Sequence, residues 1–143
     1  PPFSFHDRAW PIYTRPRYLP GAWLTGCRFG HALVADGSHL VDAELDHAVV
    51  GLRSSIRGAK LERVLMMGVD SHFPDMGPDA PPVGIGEGSE IRDAIIDKNA
   101  RIGRGVKILN RDGVREADGD GWVIRDGVVV IAKNTVLSDG TEI

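Results

Sequence analysis

Cysteine is nearly absent: Cys27 is the only one in 143 residues. An internal disulfide is therefore impossible, and a reducing compartment fits. Aromatic residues are scarce at 6%, whereas Gly (18) and Pro (9) are plentiful. That mix favours short strands and many turns over a helical bundle. Long apolar runs are missing too. The longest, Val128 to Ala132, is far too short to span a bilayer, so no membrane partner is expected. No signal peptide is visible. Neither sign of charge dominates: the net charge is −3, which gives no support to nucleic-acid or acidic-membrane binding. A starting methionine is lacking as well. The chain opens at Pro1 in a segment that reads as mid-protein, so a fragment or cut domain is expected.

What is present is a globular composition, 42% hydrophobic and 26% charged, at a length suited to one domain. The chain also repeats itself. Ile85-Gly-Glu-Gly-Ser-Glu-Ile91 returns 17 residues later as Ile102-Gly-Arg-Gly-Val-Lys-Ile108. Large apolar residues recur every five or six positions: Phe29, Val34, Leu40, Leu45, Val50, Ile56, Leu61, Met66. The series resumes at Ile85, Ile91, Ile96, Ile102, Ile108 and again at Ile131, Leu137, Ile143. That interval suits neither a helix face nor plain strand alternation. It fits a hexapeptide-repeat solenoid, an all-β parallel β-helix with three short strands per coil and one inward aliphatic on each. Gly51, Gly86 and Gly103 then stand at tight corners, where positive φ is expected.

The solenoid is expected over residues 29–143, with two loop excursions, 69–82 and 109–126. Residues 1–28 carry Pro1, Pro2, Pro11, Pro16 and Pro20, which exclude regular helix. They read as an extended lead-in whose Phe3, Phe5, Trp10, Tyr13 and Tyr18 cap the solenoid's open end.

Residues one period apart stack on neighbouring coils. Glu87 then faces Arg104 and Glu90 faces Lys107, so the change of sign between the two copies reads as ion pairing across coils. In the basic stretch 98–111, Lys98 stacks on Pro81 and Arg101 on Gly84, leaving both without an acid on the preceding coil. Ile96-Asp-Lys-Asn-Ala-Arg-Ile102 also matches Ile131-Ala-Lys-Asn-Thr-Val-Leu137 at an offset of 35, one coil plus the second excursion. Lys98 and Lys133 then share a corner on successive coils, with Asn99 and Asn134 as αL corner residues. Strands about 4.8 Å apart bring two such ammonium groups close. Two readings stand: an anion lies between them, or both point into water.

Several segments carry a resemblance: "PIYTRPRYLP" (11–20), "HAVVGLRSSI" (47–56), "LMMGVD" (65–70), "PVGIGEGSEIRDAIIDKNARIG" (82–103) and "DGVVVIAKNTVLSDGTEI" (126–143). Together they resemble the C-terminal region of ADP-glucose pyrophosphorylase (glucose-1-phosphate adenylyltransferase), in its cyanobacterial and plant type. The resemblance implies a left-handed parallel β-helix. It implies a homo- or heterotetramer that makes ADP-glucose from ATP and glucose 1-phosphate with Mg²⁺, for glycogen or starch synthesis in cytoplasm or plastid. The family's activator lysines, which bind 3-phosphoglycerate, match Lys98 and Lys133. Arg17 matches the arginine of the "PRYLP" segment, and Arg101 is a second accessory candidate.

The family's catalytic half has no counterpart here. No Gly-rich phosphate loop, preceding βαβ unit or acidic pair for Mg²⁺ is visible, so the chain by itself is expected to be inactive and to hold no cofactor. "PGAW" after Leu19 also departs from the family's usual residues. Other β-helix proteins are rivals: acyltransferases, zinc-dependent carbonic anhydrases, and a standalone module serving only oligomerisation. His31 and His47, 16 apart, stack, but Arg63 stands where a third histidine would be needed. Cys27 lacks an evident base and reads as a packed thiol.

Overall fold

The computed structural model of the chain describes residues 4, 7–72 and 74–143. Among the described residues it contains sixteen strands and no helix. The strands stack in parallel into three faces. Trp23–Thr25, His39–Val41, Ser55–Arg57, Gly84–Ile85, Arg101–Ile102 and Val136–Leu137 form the first. The second runs Arg28–Phe29, Glu44–Asp46, residues 60–62, residues 90–92 and Lys107–Ile108. The third runs Ala32–Val34, Ala48–Val50, residues 64–66, residues 94–96 and Val128–Ile131. The longer strands Lys60–Met66 and Glu90–Ile96 turn the corner between second and third faces at Arg63 (φ 53°) and Asp93 (φ 49°). The first strand, Trp23–Thr25, lies inside the stretch expected as lead-in.

The five-or-six spacing builds the core. Leu40, Ile56, Ile85, Ile102 and Leu137 line the first face inside; Leu45, Leu61, Ile91 and Ile108 line the second; Val50, Met66, Ile96 and Ile131 line the third, all buried. Burying each such side chain favours the coil by about 1.5–3 kcal/mol. Phe29 is in register with Leu45 but is 42% exposed, because its coil is at the end of the stack and nothing covers its outer side.

The corner glycines serve close approach and not positive φ. Gly51, Gly86 and Gly103 stay out of the left-handed region. A Cβ at Gly86 would lie 2.6 Å from the Gly103 oxygen on the next coil.

The described aromatics of the lead-in, Trp10, Tyr13 and Tyr18, do not cap the open end. Trp10, Tyr13 and Tyr18 are 83%, 90% and 96% exposed. Among the described residues no backbone hydrogen bond ties this proline-rich segment to the coils before Pro20, whose carbonyl accepts from Gly37 N at 2.8 Å. Phe3 and Phe5 lie outside the described residues.

The first excursion carries no strand among its described residues. The second is not a loop throughout. Glu116–Asp118 pairs antiparallel with Trp122–Arg125, which pairs antiparallel with Val128–Ile131. Asp126 and Gly127, both at positive φ, make the two-residue turn between the last two strands. An Asp-Gly pair between apolar runs is the sequence signal for that hairpin.

The change of charge sign extends far beyond the two copies. Arg28, Glu44, Lys60, Glu90 and Lys107 occupy one column, and Glu142 bridges to Lys107, so the sign alternates over six coils. Arg28–Glu44 (3.1 Å) and Lys60–Glu44 (3.8 Å) close as ion pairs. Glu90 and Lys107 are in register without an ion pair within 4 Å, and Glu87–Arg104 likewise forms none. The Arg104 amide instead donates to Asp139 Oδ1 at 2.8 Å. On an exposed face such alternation sets register more than it stabilises.

Candidate functional site: a lysine corner around Asp70

Ile96 and Ile131 pair across the third face, and the chain turns after each into Lys98-Asn99 and Lys133-Asn134. Both asparagines adopt left-handed geometry, with φ of 63° and 62°. Asn134 N donates to the Lys98 carbonyl at 3.0 Å, and Asn99 Nδ2 donates to Asn134 Oδ1 at 3.0 Å. The two lysines therefore leave the same corner on successive coils.

They converge on one acid. Lys98 Nζ donates to Asp70 Oδ1 at 3.1 Å, and Lys133 Nζ donates to Asp70 Oδ2 at 2.8 Å. The expectation that Lys98 lacks an acidic neighbour is corrected. The 17-residue period leads back to Pro81 on the return arm of the excursion, but the corner beside Lys98 is built by the residues before the chain leaves the coil. Asn99 N donates to the Gly68 carbonyl at 3.1 Å, so residues 68–70 form the covering corner.

Buried Asn99 fixes Asp70. Its Oδ1 accepts from Asp70 N at 2.8 Å, and its Nδ2 donates to Asp70 Oδ2 at 3.2 Å. The Lys133 contact, then those of Lys98 and Asn99, hold the Asp70 carboxyl well below the usual carboxylate range. The same carboxylate raises Lys133.

A cleft of about 680 Å³ opens beside this corner, lined by Arg15, Arg17, Arg53, His72, Asp70 and Lys98 among others. Arg17 Nη1 donates to the Arg15 carbonyl at 3.0 Å. A neighbouring cleft of about 500 Å³ shares Arg53 and Asp70 and adds Arg101. Arg101 donates to the carbonyls of Pro81 (2.8 Å) and Pro74 (3.2 Å), which ties it to the first excursion. Among the described residues, Asp70 is the one acid lining either cleft. The structure thus gathers Lys98, Lys133, Arg101 and Arg17 around the root of the excursion. Sequence reasoning missed Asp70, Arg53, Arg15 and His72. Asp70 was legible in principle as the acid two residues after Gly68, where the apolar series breaks.

A family model, the GLGC left-handed parallel beta-helix domain, matches residues 17–142. The chain belongs to that family. Its domain is the C-terminal domain of ADP-glucose pyrophosphorylase. The match spans all the stacked strands, from Trp23 to Leu137, and includes every residue of the lysine corner.

The Mg²⁺ implied by the family's reaction does not fit the metal-competent cluster found among the described residues. That cluster, His31, Asp46 and His47, presents two imidazoles, whereas Mg²⁺ takes oxygen ligands in octahedral geometry. The Cys27 thiol donates to the carbonyls of Thr25 (3.3 Å) and Leu40 (3.5 Å) and is half-buried, so packing accounts for it. No helix among the described residues is long and apolar enough to cross a membrane.

Proposed function

We propose that this domain is the regulatory and assembly module of a glucose-1-phosphate adenylyltransferase, and that Lys98 and Lys133 bind the phosphate of a small phosphorylated effector such as 3-phosphoglycerate. The observation that carries this reading is the convergence of both lysines on one carboxylate beside a cleft rimmed by Arg15, Arg17 and Arg53. Asp70 acts as a resident counter-ion. A phosphate brings more charge and three acceptor oxygens, so it competes with Asp70 for both ammonium groups. Arg17 and Arg53 lie within reach of the effector's remaining oxygens. Asp70 stands at the root of the first excursion and Arg101 holds its return arm, so displacing the Asp70 carboxylate removes the two lysine contacts from that root. Loosening of the excursion is then the signal passed to a neighbouring domain or subunit.

The assembly role rests on a second feature. Leu33, Val49 and Leu65 point outward in register on the third face and are exposed. Ile95 and Val130 continue the same column. An aliphatic stripe along a flat parallel face suits packing against another subunit.

Titration calorimetry of the chain with 3-phosphoglycerate tests the effector site. Lys98→Ala and Lys133→Ala are each expected to weaken binding at least tenfold, and Asp70→Asn to tighten it. Equal affinity in wild type and both lysine variants overturns the site. For assembly, Leu65→Glu lowers the sedimentation coefficient if the stripe is a subunit contact. An unchanged coefficient rejects that face.

A further inference from the structure

His31 and His47 stand one coil apart near the corner between the second and third faces, 16 residues apart in sequence. Their ring centroids are 4.7 Å apart, with the planes tilted by 37°. Asp46 reaches both rings: Oδ2 lies 2.9 Å from His47 Nδ1, and Oδ1 lies 3.8 Å from His31 Nδ1. The backbone amide of His31 also donates to Oδ1 at 3.2 Å. Both imidazoles therefore turn the same nitrogen toward the same carboxylate. One ligand atom from each of the three residues falls within 4.8 Å of the others. The 16-residue spacing marks only the histidine stack, which Arg63 ends. The acid that completes the cluster is the residue before His47, on the same strand end.

Two further observations mark this as an arrangement and not a chance of surface composition. Gly30 stacks on Asp46, and a Cβ at Gly30 would lie 2.1 Å from Asp46 Oδ1. Gly30 is not in the left-handed region, so the backbone does not demand glycine there. The missing side chain is the space the carboxylate fills. One coil further on, the same corner carries Arg63, which pairs with Asp93 (Nη2 to Oδ2, 2.8 Å) and with Glu62. Arg63 thus finds its acids on its own coil and the next, so the histidines and Asp46 are left to one another.

We propose that His31, Asp46 and His47 form a surface site for a borderline divalent transition metal, with Zn²⁺ as the type ion. Two neutral imidazole nitrogens and one carboxylate oxygen are a favoured three-ligand set for Zn²⁺, which leaves a fourth position for water or an exogenous ligand. Zn–N and Zn–O bonds of about 2.0–2.2 Å place tetrahedral ligand atoms about 3.3 Å apart. With one ligand atom from each residue, the three already lie within 4.8 Å of one another, and the side chains are exposed enough to close to that spacing. The site shares no residue with the lysine corner, so the two proposals fail independently.

The test is calorimetric titration of the metal-free chain with ZnCl₂, with Co²⁺ absorption as a check on tetrahedral geometry. One Zn²⁺ per chain is expected to bind in the micromolar range. His31→Gln, His47→Gln and Asp46→Asn are each expected to weaken it at least tenfold. Gly30→Ala removes no ligand, yet it is also expected to weaken binding by moving the carboxylate. His39→Gln and His72→Gln are expected to bind as wild type. Circular dichroism confirms that each variant is folded, and the exposed His31 makes His31→Gln the variant least tied to folding. Failure to bind Zn²⁺ at about 1 mM overturns the proposal. So does unchanged affinity in both His31→Gln and His47→Gln, which places any zinc elsewhere.

Discussion

Replacing Ile102 by alanine tests the stacked core directly. Ile102 is 1% exposed and lies in register between Ile85 on one coil and Leu137 on the next. Alanine removes three carbons, worth about 2.4 kcal/mol in transfer free energy at about 0.8 kcal/mol each. The coils above and below are held by backbone ladders and close only partly over the gap, so a cavity term adds to this. The expected loss is about 3–4 kcal/mol, within the range seen for buried aliphatic truncations. The same reasoning makes the cost depend on position along the stack. Phe29, half-open on the terminal coil, is expected to cost about 1 kcal/mol on truncation despite its larger side chain. Urea unfolding followed by far-UV circular dichroism measures both. A solenoid can lose cooperativity between coils, so a fall in the m-value of Ile102→Ala reports separate melting of the two halves. A loss below about 1 kcal/mol for Ile102→Ala refutes the account of the core. So does equal destabilisation by Phe29→Ala and Ile102→Ala. Ile102→Asp places a carboxylate without a partner in the same position and is expected to prevent folding.

Gly86→Ala is expected to destabilise more than Gly105→Ala, because the new Cβ at 86 meets the Gly103 carbonyl while Gly105, at φ 61°, has open space around it and incurs only left-handed strain of about 1 kcal/mol. Equal thermal shifts for the two variants contradict the close-approach argument. Asp70 has a folded-state pKa depressed below its unfolded value of about 3.9, so its contribution is present above that pH and lost as the pH falls below it. Acid titration should therefore show wild type losing stability below about pH 4 more steeply than Asp70→Asn. Parallel acid limbs argue against the Asp70–lysine pairing in solution. Incubating the chain with ATP, glucose 1-phosphate and Mg²⁺ is expected to yield no ADP-glucose, since its sequence carries no Gly-rich phosphate loop. Turnover that co-purifies with the chain overturns that expectation.

The sequence by itself determined the coil. An inward aliphatic every five or six residues is a local pattern, and it set Leu45 over Leu61 and Ile85 under Ile102 as the structure has them. The shared corner of Lys98 and Lys133 was legible for the same reason, because a phrase repeated at an offset of 35 must stack once the intervening chain loops out. The alternating column from Arg28 to Glu142 was legible too, although only its Glu90–Lys107 step was read. Tertiary structure alone decided where each excursion leaves the coil. Counting back from Lys98 led to Pro81, whereas residues 68–70 still lie on the coil and hold Asp70 over the corner. It also decided that Trp122–Arg125 would add an antiparallel strand to the third face, and that Trp10, Tyr13 and Tyr18 of the lead-in would stay in solvent. Stacking propagates from coil to neighbouring coil, so a repeat read in sequence carries it. Register across an insertion does not propagate, because it depends on which hydrogen bonds the departing chain keeps, and only the folded coils settle that.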